Sequence, residues 1–341
     1  MVVYIHCGAL YYIYTHDTDN GEMERGLKTH LRKGLILDPY MILMKPSVTP
    51  LRYPGGKTWL LDYVKAFIRF HKLDSTTIIE PYGGSASISV GLIRSQLVTE
   101  ATVCEKDPLI DAFWNIALHR NEELIEYLST LEINIETWYR LRKYLNLDNT
   151  VFQDNIEAAG AFLFYNRTNY SGIIKGGPLG GKKQLSKYKL NSRFNKVRII
   201  DKIRNLKELE DKLKIIQIDG LEYMRYQSLQ NPDNIFFYVD PPYYKAGKDL
   251  YRFYFTDFDH QQLSAFLTNT EIPWLLSYDD AEFIKNLYKK KITSPVYTDY
   301  QSGPLKRGIK ELLISNLTIP SMIPVVLEVN NSISENDLEG Y

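Results

Sequence analysis

The sequence of 341 residues has little cysteine, no net charge and no long apolar run. Its two cysteines, Cys7 and Cys104, are too few for a disulfide framework or a cysteine metal cage, and they favour a reducing compartment such as the cytoplasm. We expect no membrane-spanning helix, because no stretch of about 18 apolar residues is present. The 41 basic and 41 acidic residues cancel, which excludes a protein that coats nucleic acid by bulk charge.

The N-terminal segment lacks the basic residues that open a signal peptide. Its first lysine or arginine is Arg25, far beyond the apolar stretch at the start. Residues 1–43 show neither helical nor strand periodicity, so we interpret them as an extension before a second candidate start at Met44. N-terminal sequencing of the native product would distinguish the two starts. We interpret the polar, acidic residues 321–341 as a loosely ordered tail.

Strand and helix patterns alternate over most of the remaining chain, which is typical of an α/β sheet. Helices are predicted at 86–94, about 108–128, 259–268 and 281–289. Seven strands are predicted at 76–79, 101–105, 214–218, 235–239, 274–277, 294–298 and 311–315. The last two strands leave no room for a helix between them, so they should pair antiparallel.

Residues 129–211 interrupt this alternation. They begin with helical stretches and continue into a loop rich in glycine, serine and lysine. We therefore predict one main domain, formed by 44–128 and 212–320, that carries an inserted domain at 129–211.

Two glycine-rich turns precede predicted helices. In Arg52–Lys57 (RYPGGK), a tight turn is followed by a cation at the start of a helix, although a plain surface turn fits equally well. In Ile78–Ser87 (IIEPYGGSAS), a buried strand enters a glycine turn, as in mononucleotide-binding folds. Glu105 ends the next strand, where an acid accepts hydrogen bonds from ribose hydroxyls. Neither motif is GxGxxG, which disfavours a nicotinamide-dependent oxidoreductase.

The most specific motif is FFYVDPPYY, Phe236–Tyr244. Its two prolines stiffen the backbone and remove N–H donors, so Asp240 and the Pro241 carbonyl become a pair of acceptors at the end of a strand. Tyr243 adds an aromatic platform. An exocyclic amino group on a flat base needs two acceptors and a stacking ring. The alternative is a strand-terminating turn with core tyrosines.

These three motifs, in this order, resemble the Dam-like N6-adenine DNA methyltransferases over about 45–318. Further stretches also resemble the family: NRTNYSG (166–172), SRFN (192–195), LLSYDD (275–280) and KELLISN (310–316). One departure is Ser85, which stands where a third glycine is common. The resemblance implies a Rossmann-like methyltransferase fold, a seven-stranded mixed sheet with helices on both faces. It also implies that the insertion at 129–211 is a mainly helical DNA-recognition domain.

The resemblance further implies S-adenosylmethionine as methyl donor and no metal. Tyr53 and Lys57 would contact its methionine end, Glu105 its ribose and Asp219 its adenine ring. The cofactor-binding candidates are Tyr53, Lys57, Pro81, Gly83, Gly84, Ser85, Glu105, Asp219 and Asp240. The catalytic candidates are Asp240, Pro241, Pro242 and Tyr243. Tyr243 would stack on an adenine flipped out of duplex DNA, since the target atom is inaccessible within a stacked duplex.

A strongly basic segment lies inside the insertion. Residues 166–204 contain eleven lysines and arginines but only one acid, Asp201, which gives a net charge of +10. Tyr170, Tyr188 and Phe194 are interleaved with these cations, a pattern that suits phosphate contacts and groove insertion. A solvated charged face is the alternative. The DNA-binding candidates are Arg167, Tyr170, Lys182, Lys183, Lys187, Lys189 and Arg193.

Two rival functions stay open at this point. One is another amino methyltransferase, acting on cytosine N4, RNA or protein glutamine, although an aspartate before Pro-Pro favours adenine. The other is a non-catalytic DNA-binding protein on the same fold. A restriction endonuclease that acts on the same site is a candidate partner, and the sequence gives no oligomeric state. His71, His119 and His260 fall in predicted helices, and we interpret them as solvated or capping residues.

Overall fold

The computed structural model describes residues 2–6, 9–13, 48–74, 76–145, 152, 155–230, 233–298 and 309–320. At 2–6, 9–13, 292–298 and 309–310 the description covers the backbone alone. The strands are β1 (Val2–His6), β2 (Ala9–Ile13), β3 (Thr77–Glu80), β4 (Ala101–Cys104), β5 (Leu213–Ile216), β6 (Ile235–Val239), β7 (Trp274–Asp279), β8 (Ile292–Thr298) and β9 (Ile309–Ser315). The helices are α1 (Leu61–Phe70), α2 (Ser87–Arg94), α3 (Pro108–His119), α4 (Asn121–Thr130), α5 (Ile135–Arg140), α6 (Ile156–Thr168), α7 (Lys196–Arg204), α8 (Gly220–Gln230), α9 (Gly247–Leu250), α10 (Asp257–Asn269) and α11 (Glu282–Leu287).

Seven of these strands form one mixed sheet in the order β5-β4-β3-β6-β7-β9-β8. Strands β3 to β7 run parallel to one another, whereas β9 runs antiparallel to both β7 and β8. The seven predicted strands and the antiparallel pairing of the last two are therefore confirmed. The strand order reverses direction between β3 and β6. In open α/β sheets, ligands bind beyond the carboxyl ends of the strands at such a switch point.

The helices differ from the sequence prediction in two ways. The single helix expected at about 108–128 is two helices, α3 and α4, because Arg120 leaves helical geometry with φ −122° and ψ 44°. The Asn121 amide stabilises the break by donating to the carbonyls of Ala117 (2.6 Å) and Ile203 (2.8 Å). In addition, the sequence analysis did not predict α7 and α8.

The chain begins with a hairpin that the sequence did not predict. Strands β1 and β2 pair antiparallel, with Val2 opposite Ile13 and His6 opposite Ala9. Both strands are almost entirely apolar or aromatic, so they lack the alternation with polar residues that marks a half-buried strand. The rest of the extension, with the candidate start at Met44, lies outside the described residues, as does the tail at 321–341.

The hydrophobic core consists of two clusters of buried side chains. One contains residues of α1, α2, α3 and α4 together with those of the insertion, including Trp138, Phe162 and Phe164. The other contains residues of β6, β7, α10 and α11. Helix α6 packs against α3, and α7 packs against α4. The insertion therefore shares its core with the main body. No helix in the described ranges is long and apolar enough to cross a membrane.

Candidate active site

A cleft of about 1070 Å³, open solvent at its mouth included, lies at the switch point of the sheet. Residues that follow β3, β4, β5 and β6 line it. The structure brings together in this cleft all nine cofactor-binding candidates: Tyr53, Lys57, Pro81, Gly83, Gly84, Ser85, Glu105, Asp219 and Asp240. Its charged lining residues are five acids and two lysines: Glu80, Glu105, Asp219, Asp240, Asp259, Lys57 and Lys106. The lining therefore offers more carboxyl acceptors than cations to a ligand.

The glycine turn after β3 forms one wall of the cleft. Gly84 adopts φ +46°, and a Cβ there would lie 2.6 Å from the Tyr53 ring, so both its conformation and its packing require glycine. Its N–H donates to Glu105 Oε2 over 3.0 Å, which ties the turn to the end of β4. Ser85 is not among the positive-φ positions, whereas Ala86 is, with φ +47°. The backbone therefore accommodates a side chain at Ser85, where the family commonly has glycine.

Two buried glutamates face the cleft. Glu105 accepts the N–H groups of Gly84 and, over 2.8 Å, Asp107. Glu80 accepts the N–H of Ser89 over 3.1 Å and its hydroxyl over 2.5 Å. Burial raises the pKa of each glutamate to about 8, against the opposing effect of these hydrogen bonds. Glu80 had no role in the sequence analysis, although it stands in the second motif.

Lys57 holds Asp240 at the end of β6. Its ammonium donates to Asp240 Oδ1 (2.6 Å), the Gly55 carbonyl (2.9 Å) and the Tyr243 hydroxyl (3.0 Å), so all three of its N–H donors are used. Ser277 donates to the same Oδ1 over 3.0 Å. Within the described residues no hydrogen bond reaches Asp240 Oδ2. This second oxygen is the one that can accept from a ligand.

A second carboxylate completes this network. The Tyr243 hydroxyl donates to Glu311 Oε1 over 2.5 Å, and Glu311 Oε2 lies 3.7 Å from the Lys57 ammonium. Burial lowers the pKa of Lys57, but the charges of Asp240 and Glu311 outweigh it and raise that pKa above its ordinary value. Burial raises the pKa of Asp240, and the charge of Lys57 opposes the rise. Lys57 therefore stays protonated between two buried acids.

The other catalytic candidates lie close to this network. Pro242 lines the cleft, while Pro241 is buried and Tyr243 is half-buried outside the lining. Asp279 on β7 fixes the turn that follows Pro242, because its two oxygens accept the N–H groups of Tyr244 (2.8 Å) and Lys245 (3.0 Å). The Tyr244 ring stacks on Phe283 with centroids 4.6 Å apart.

Sequence reasoning assigned no role to Ser277, Asp279 or Glu311. The available signal was the resemblance of LLSYDD and KELLISN to family stretches. The pairing of β7 with β9 places Asp279 opposite Glu311, which no local pattern reveals.

An aromatic segment after α9 covers the other side of the cleft. Tyr251, Phe253, Tyr254 and Phe255 all line it. Tyr251 stacks with Tyr53 at a centroid distance of 5.9 Å, and its hydroxyl donates to the Pro54 carbonyl over 3.3 Å. The RYPGGK turn is therefore held between this segment and the glycine turn.

Asp219 lies in the cleft but has local partners. Its Oδ1 accepts the N–H of Leu221 over 3.0 Å at the start of α8, and its Oδ2 pairs with Lys106 over 3.0 Å. A Cβ on Gly220 would lie 2.0 Å from the Pro81 carbonyl, so the two walls of the cleft touch there.

The basic segment of the insertion divides into exposed and internally bonded cations. Lys182, Lys183 and Lys187 are exposed, and the described residues give them no hydrogen bond or ion pair. Tyr170 and Tyr188 are each 65 % exposed. The exposed part of the segment therefore contains both cations and aromatic rings.

Other cations of the segment bind backbone carbonyls. Arg167 donates to Arg193 (3.0 Å) and Pro50 (3.4 Å), Lys202 to Thr49 (3.2 Å), and Lys189 to Gln184. Arg193 itself is exposed.

Two residues differ from their expected environments, and a third, Cys104, matches its expected one. Phe194, expected among the interleaved aromatics, is buried against Phe164 at a centroid distance of 6.2 Å. His260, expected to be solvated or capping, is a buried core residue that contacts the Tyr278 hydroxyl, and burial lowers its pKa. Cys104, expected to be plain core, is a free, buried thiol in β4. The described residues hold no group of three or more His, Cys, Asp or Glu side chains suited to a metal.

Comparison with known proteins identifies this arrangement. A family model described as D12 class N6 adenine-specific DNA methyltransferase matches residues 53–301, which include the cleft and the basic segment. The chain belongs to this family. The D12 methyltransferase assignment confirms the resemblance seen in the sequence, and it confirms an enzyme that methylates adenine in DNA. The rival functions are thereby set aside.

Individual relatives agree with this assignment. The D12 methyltransferase is 25 % identical over 264 residues to the type II methyltransferase M.CviBI of Paramecium bursaria Chlorella virus NC1A, covering 76 % of this chain and 90 % of that one. It is 27 % identical over 136 residues to the DNA adenine methylase of Salmonella typhi, covering 39 % and 45 %. A solved structure from Pyrococcus horikoshii, described as an RNA methyltransferase, aligns over 86 % of this chain and 96 % of that one at 12 % identity, with a TM-score of 0.33. That score is too low to add to the fold description.

Proposed function

We propose that this enzyme binds S-adenosylmethionine in the cleft and uses Asp240 to direct the methyl group to N6 of an adenine flipped out of duplex DNA. The observation that supports the proposal is the hydrogen bonding of the Asp240 carboxylate. Lys57 and Ser277 both engage its Oδ1, so Oδ2 remains as an acceptor in the cleft. An acceptor fixed in this way suits an amino group.

The cleft fits the cofactor by charge and shape. S-adenosylmethionine carries a sulfonium and an ammonium group, and a lining richer in carboxyl acceptors than in cations favours such a ligand over an anionic dinucleotide. Glu105 would accept the ribose hydroxyls and Asp219 would lie beside the adenine ring. Tyr53 and Lys57 would border the methionine end, and the Pro81–Ser85 turn would lie along the molecule. When bound, the cofactor supplies a methyl group already activated by the sulfonium.

The protein has to orient a poor nucleophile. The N6 lone pair of adenine is delocalised into the ring, and hydrogen bonds from N6–H to Asp240 Oδ2 and the Pro241 carbonyl pull the nitrogen toward tetrahedral geometry. Lys57 and Ser277 keep the carboxylate from rotating. The acceptor for N6 is therefore held in one orientation, and holding reacting groups in the right geometry accelerates their reaction. Tyr243 would stack on the flipped base, with its hydroxyl anchored by Lys57 and Glu311. Base–aromatic stacking contributes about 1–3 kcal/mol in related settings.

We assign DNA recognition to the insertion, 129–211, and catalysis to 44–128 plus 212–320. The exposed lysines Lys182, Lys183 and Lys187 suit phosphate contacts, and the exposed ring of Tyr170 suits base stacking. Arg167 and Lys189 bind backbone carbonyls, so they would contribute to DNA binding by holding the shape of the segment as well as by their charge. The name of the viral relative further suggests a restriction-modification context, with an endonuclease of the same specificity as partner.

A product assay tests the proposal. Purified enzyme with labelled S-adenosylmethionine is expected to methylate duplex DNA and to yield N6-methyladenine, with no transfer to RNA or protein. Asp240→Ala is expected to abolish the label while DNA affinity stays unchanged. Asp211→Ala, which alters an exposed acid away from the cleft, is the matched control. N4-methylcytosine as product, or full activity in Asp240→Ala, would overturn the proposal.

A further inference from the structure

The NRTNYSG stretch, which the proposed function leaves without a complete role, makes an unusual contact with the first motif. The Asn166 side chain is fully buried. Its Oδ1 accepts the N–H of Arg52 over 2.7 Å, and its Nδ2 donates to the carbonyl of the same residue over 3.0 Å. One amide therefore satisfies both backbone groups of Arg52, as a neighbouring strand would do.

A glycine of the same stretch touches the same residue. Gly172 adopts φ +76°, and a Cβ there would lie 2.0 Å from the Arg52 carbonyl oxygen. Asn166 lies near the end of α6, and Gly172 ends the short turn Tyr170–Gly172. Asn166 and Gly172 of the insertion therefore both contact the backbone of Arg52.

The carbonyls that precede Arg52 are held by other side chains. Arg94 donates to Val48 over 2.7 Å, Lys202 to Thr49 over 3.2 Å, and Arg167 to Pro50 over 3.4 Å. Lys202 and Arg167 belong to the insertion. Side chains from elsewhere in the chain therefore hold the backbone of segment 48–52 at four residues before the RYPGGK turn.

The position of Arg52 matters because two residues of the cleft, Tyr53 and Lys57, follow it in the chain. Tyr53 follows it directly and lines the cleft, where its ring covers Gly84 and stacks with Tyr251. Lys57 lies five residues after Arg52 and holds Asp240. A shift of the Arg52 peptide would move the Tyr53 ring, and through the turn it would move Lys57 as well.

We propose that Asn166 and Gly172 are positioning residues for the cofactor cleft, so that the recognition insertion itself sets the wall against which S-adenosylmethionine binds. The inference rests on the proposed function, because it needs the cofactor in the cleft. It assigns a structural role to a stretch that also contains the exposed DNA-binding candidate Tyr170. A buried bidentate pair of this kind is costly to break, since both backbone groups of Arg52 would lose their partner.

Cofactor binding in the absence of DNA is the decisive measurement. Equilibrium dialysis with labelled S-adenosylmethionine is applied to the full chain, so no turnover is required. Asn166→Ala is expected to raise the Kd at least tenfold. Gly172→Ala, whose new Cβ would push Arg52 away, is expected to raise it in the same direction.

Two matched controls separate positioning from loss of stability. Asn121→Ala removes another buried amide, which bonds Ala117 and Ile203 far from the cleft. Gly160→Ala adds a Cβ against the Tyr127 ring, at 2.2 Å, in the same helix as Asn166. Both controls are expected to lower the unfolding temperature as the test variants do, yet to keep the cofactor Kd within threefold of wild type.

The outcomes distinguish this inference from the proposed function. If wild type binds the cofactor and Asn166→Ala binds it as tightly as Asn121→Ala, the positioning role is wrong and the proposed function stands. If wild type fails to bind the cofactor, the proposed function fails and the inference fails with it. If both Asn166→Ala and Gly172→Ala weaken binding beyond their controls, the positioning role is supported.

Discussion

The cleft and the basic segment differ both in the sign of their charges and in how those charges are used. In the cleft, Glu80, Glu105 and Asp240 are held by short hydrogen bonds inside the protein, and Lys57 is the buried cation among them. In the basic segment, cations such as Lys182 stand in solvent with almost no acid nearby. Buried charges fix geometry, because leaving them unpaired is costly. Exposed charges attract a polyanion over distance and are screened by salt.

The largest expected effect comes from uncoupling the buried network while leaving the cofactor site intact. Glu311→Gln keeps the shape of the side chain but removes the charge beside Lys57. We expect kcat to fall about 10- to 100-fold, because Tyr243 and Lys57 lose a fixed partner and small misplacements cost catalysis. Single-turnover methylation measures the change. The cofactor Kd should stay within threefold of wild type, and Glu222→Gln, an exposed acid on α8, is the control. An unchanged kcat would remove Glu311 from the site.

Replacing exposed cations of the basic segment should change DNA binding but not kcat. Replacing Lys182 and Lys183 with glutamine is expected to weaken DNA binding for all sequences alike. It should reduce the magnitude of the slope of log K against log salt by about 1.8, because each of the two lost phosphate contacts contributes roughly 0.9. Fluorescence anisotropy at several salt concentrations measures both quantities. A slope equal to that of wild type would place the DNA track elsewhere, while kcat on saturating DNA should remain near wild type.

The third expected effect is a pH dependence of stability that originates in the cleft. The folded-state pKa of Glu80, about 8, lies above its unfolded value, so the folded protein binds more protons than the unfolded chain between those two values. Its contribution is therefore fully present below the unfolded pKa and is lost as pH rises through 8. The loss is on the order of 1 kcal/mol per pH unit between pH 6 and pH 8.

Glu80→Gln should reduce this loss. Thermal unfolding at pH 6 and pH 9 is expected to show a smaller drop in the variant than in wild type. Part of the drop should persist, because Glu105 titrates in the same range. Equal drops in the two proteins would show that Glu80 does not carry this titration.

The same contrast explains which features the sequence could predict. The family resemblance that the motifs carry gave nine cofactor-binding candidates, all of which line one cleft. Strands, glycine turns and the Asp240 motif are local patterns, so the sheet and the motif residues could be predicted from them. Glu311 could not, because it meets Lys57 only through the pairing of β9 with β7, 254 residues later in the chain. Charge counting also failed to separate Lys182, which faces solvent, from Lys202, which holds the Thr49 carbonyl. Composition gives the number of cations, but only the fold decides which ones stay available.

The position of β9 has a consequence for protein synthesis. This strand, among the last to be translated of those described, lies between β7 and β8 and carries Glu311 into the network around Lys57. A nascent chain that has emerged only as far as β7 already holds both Lys57 and Asp240. That nascent chain lacks Glu311 and β9, the strand on which Glu311 lies. Because β9 can join the sheet only after it has been synthesised, we expect a growing chain to stay inactive toward DNA until this strand completes the candidate site.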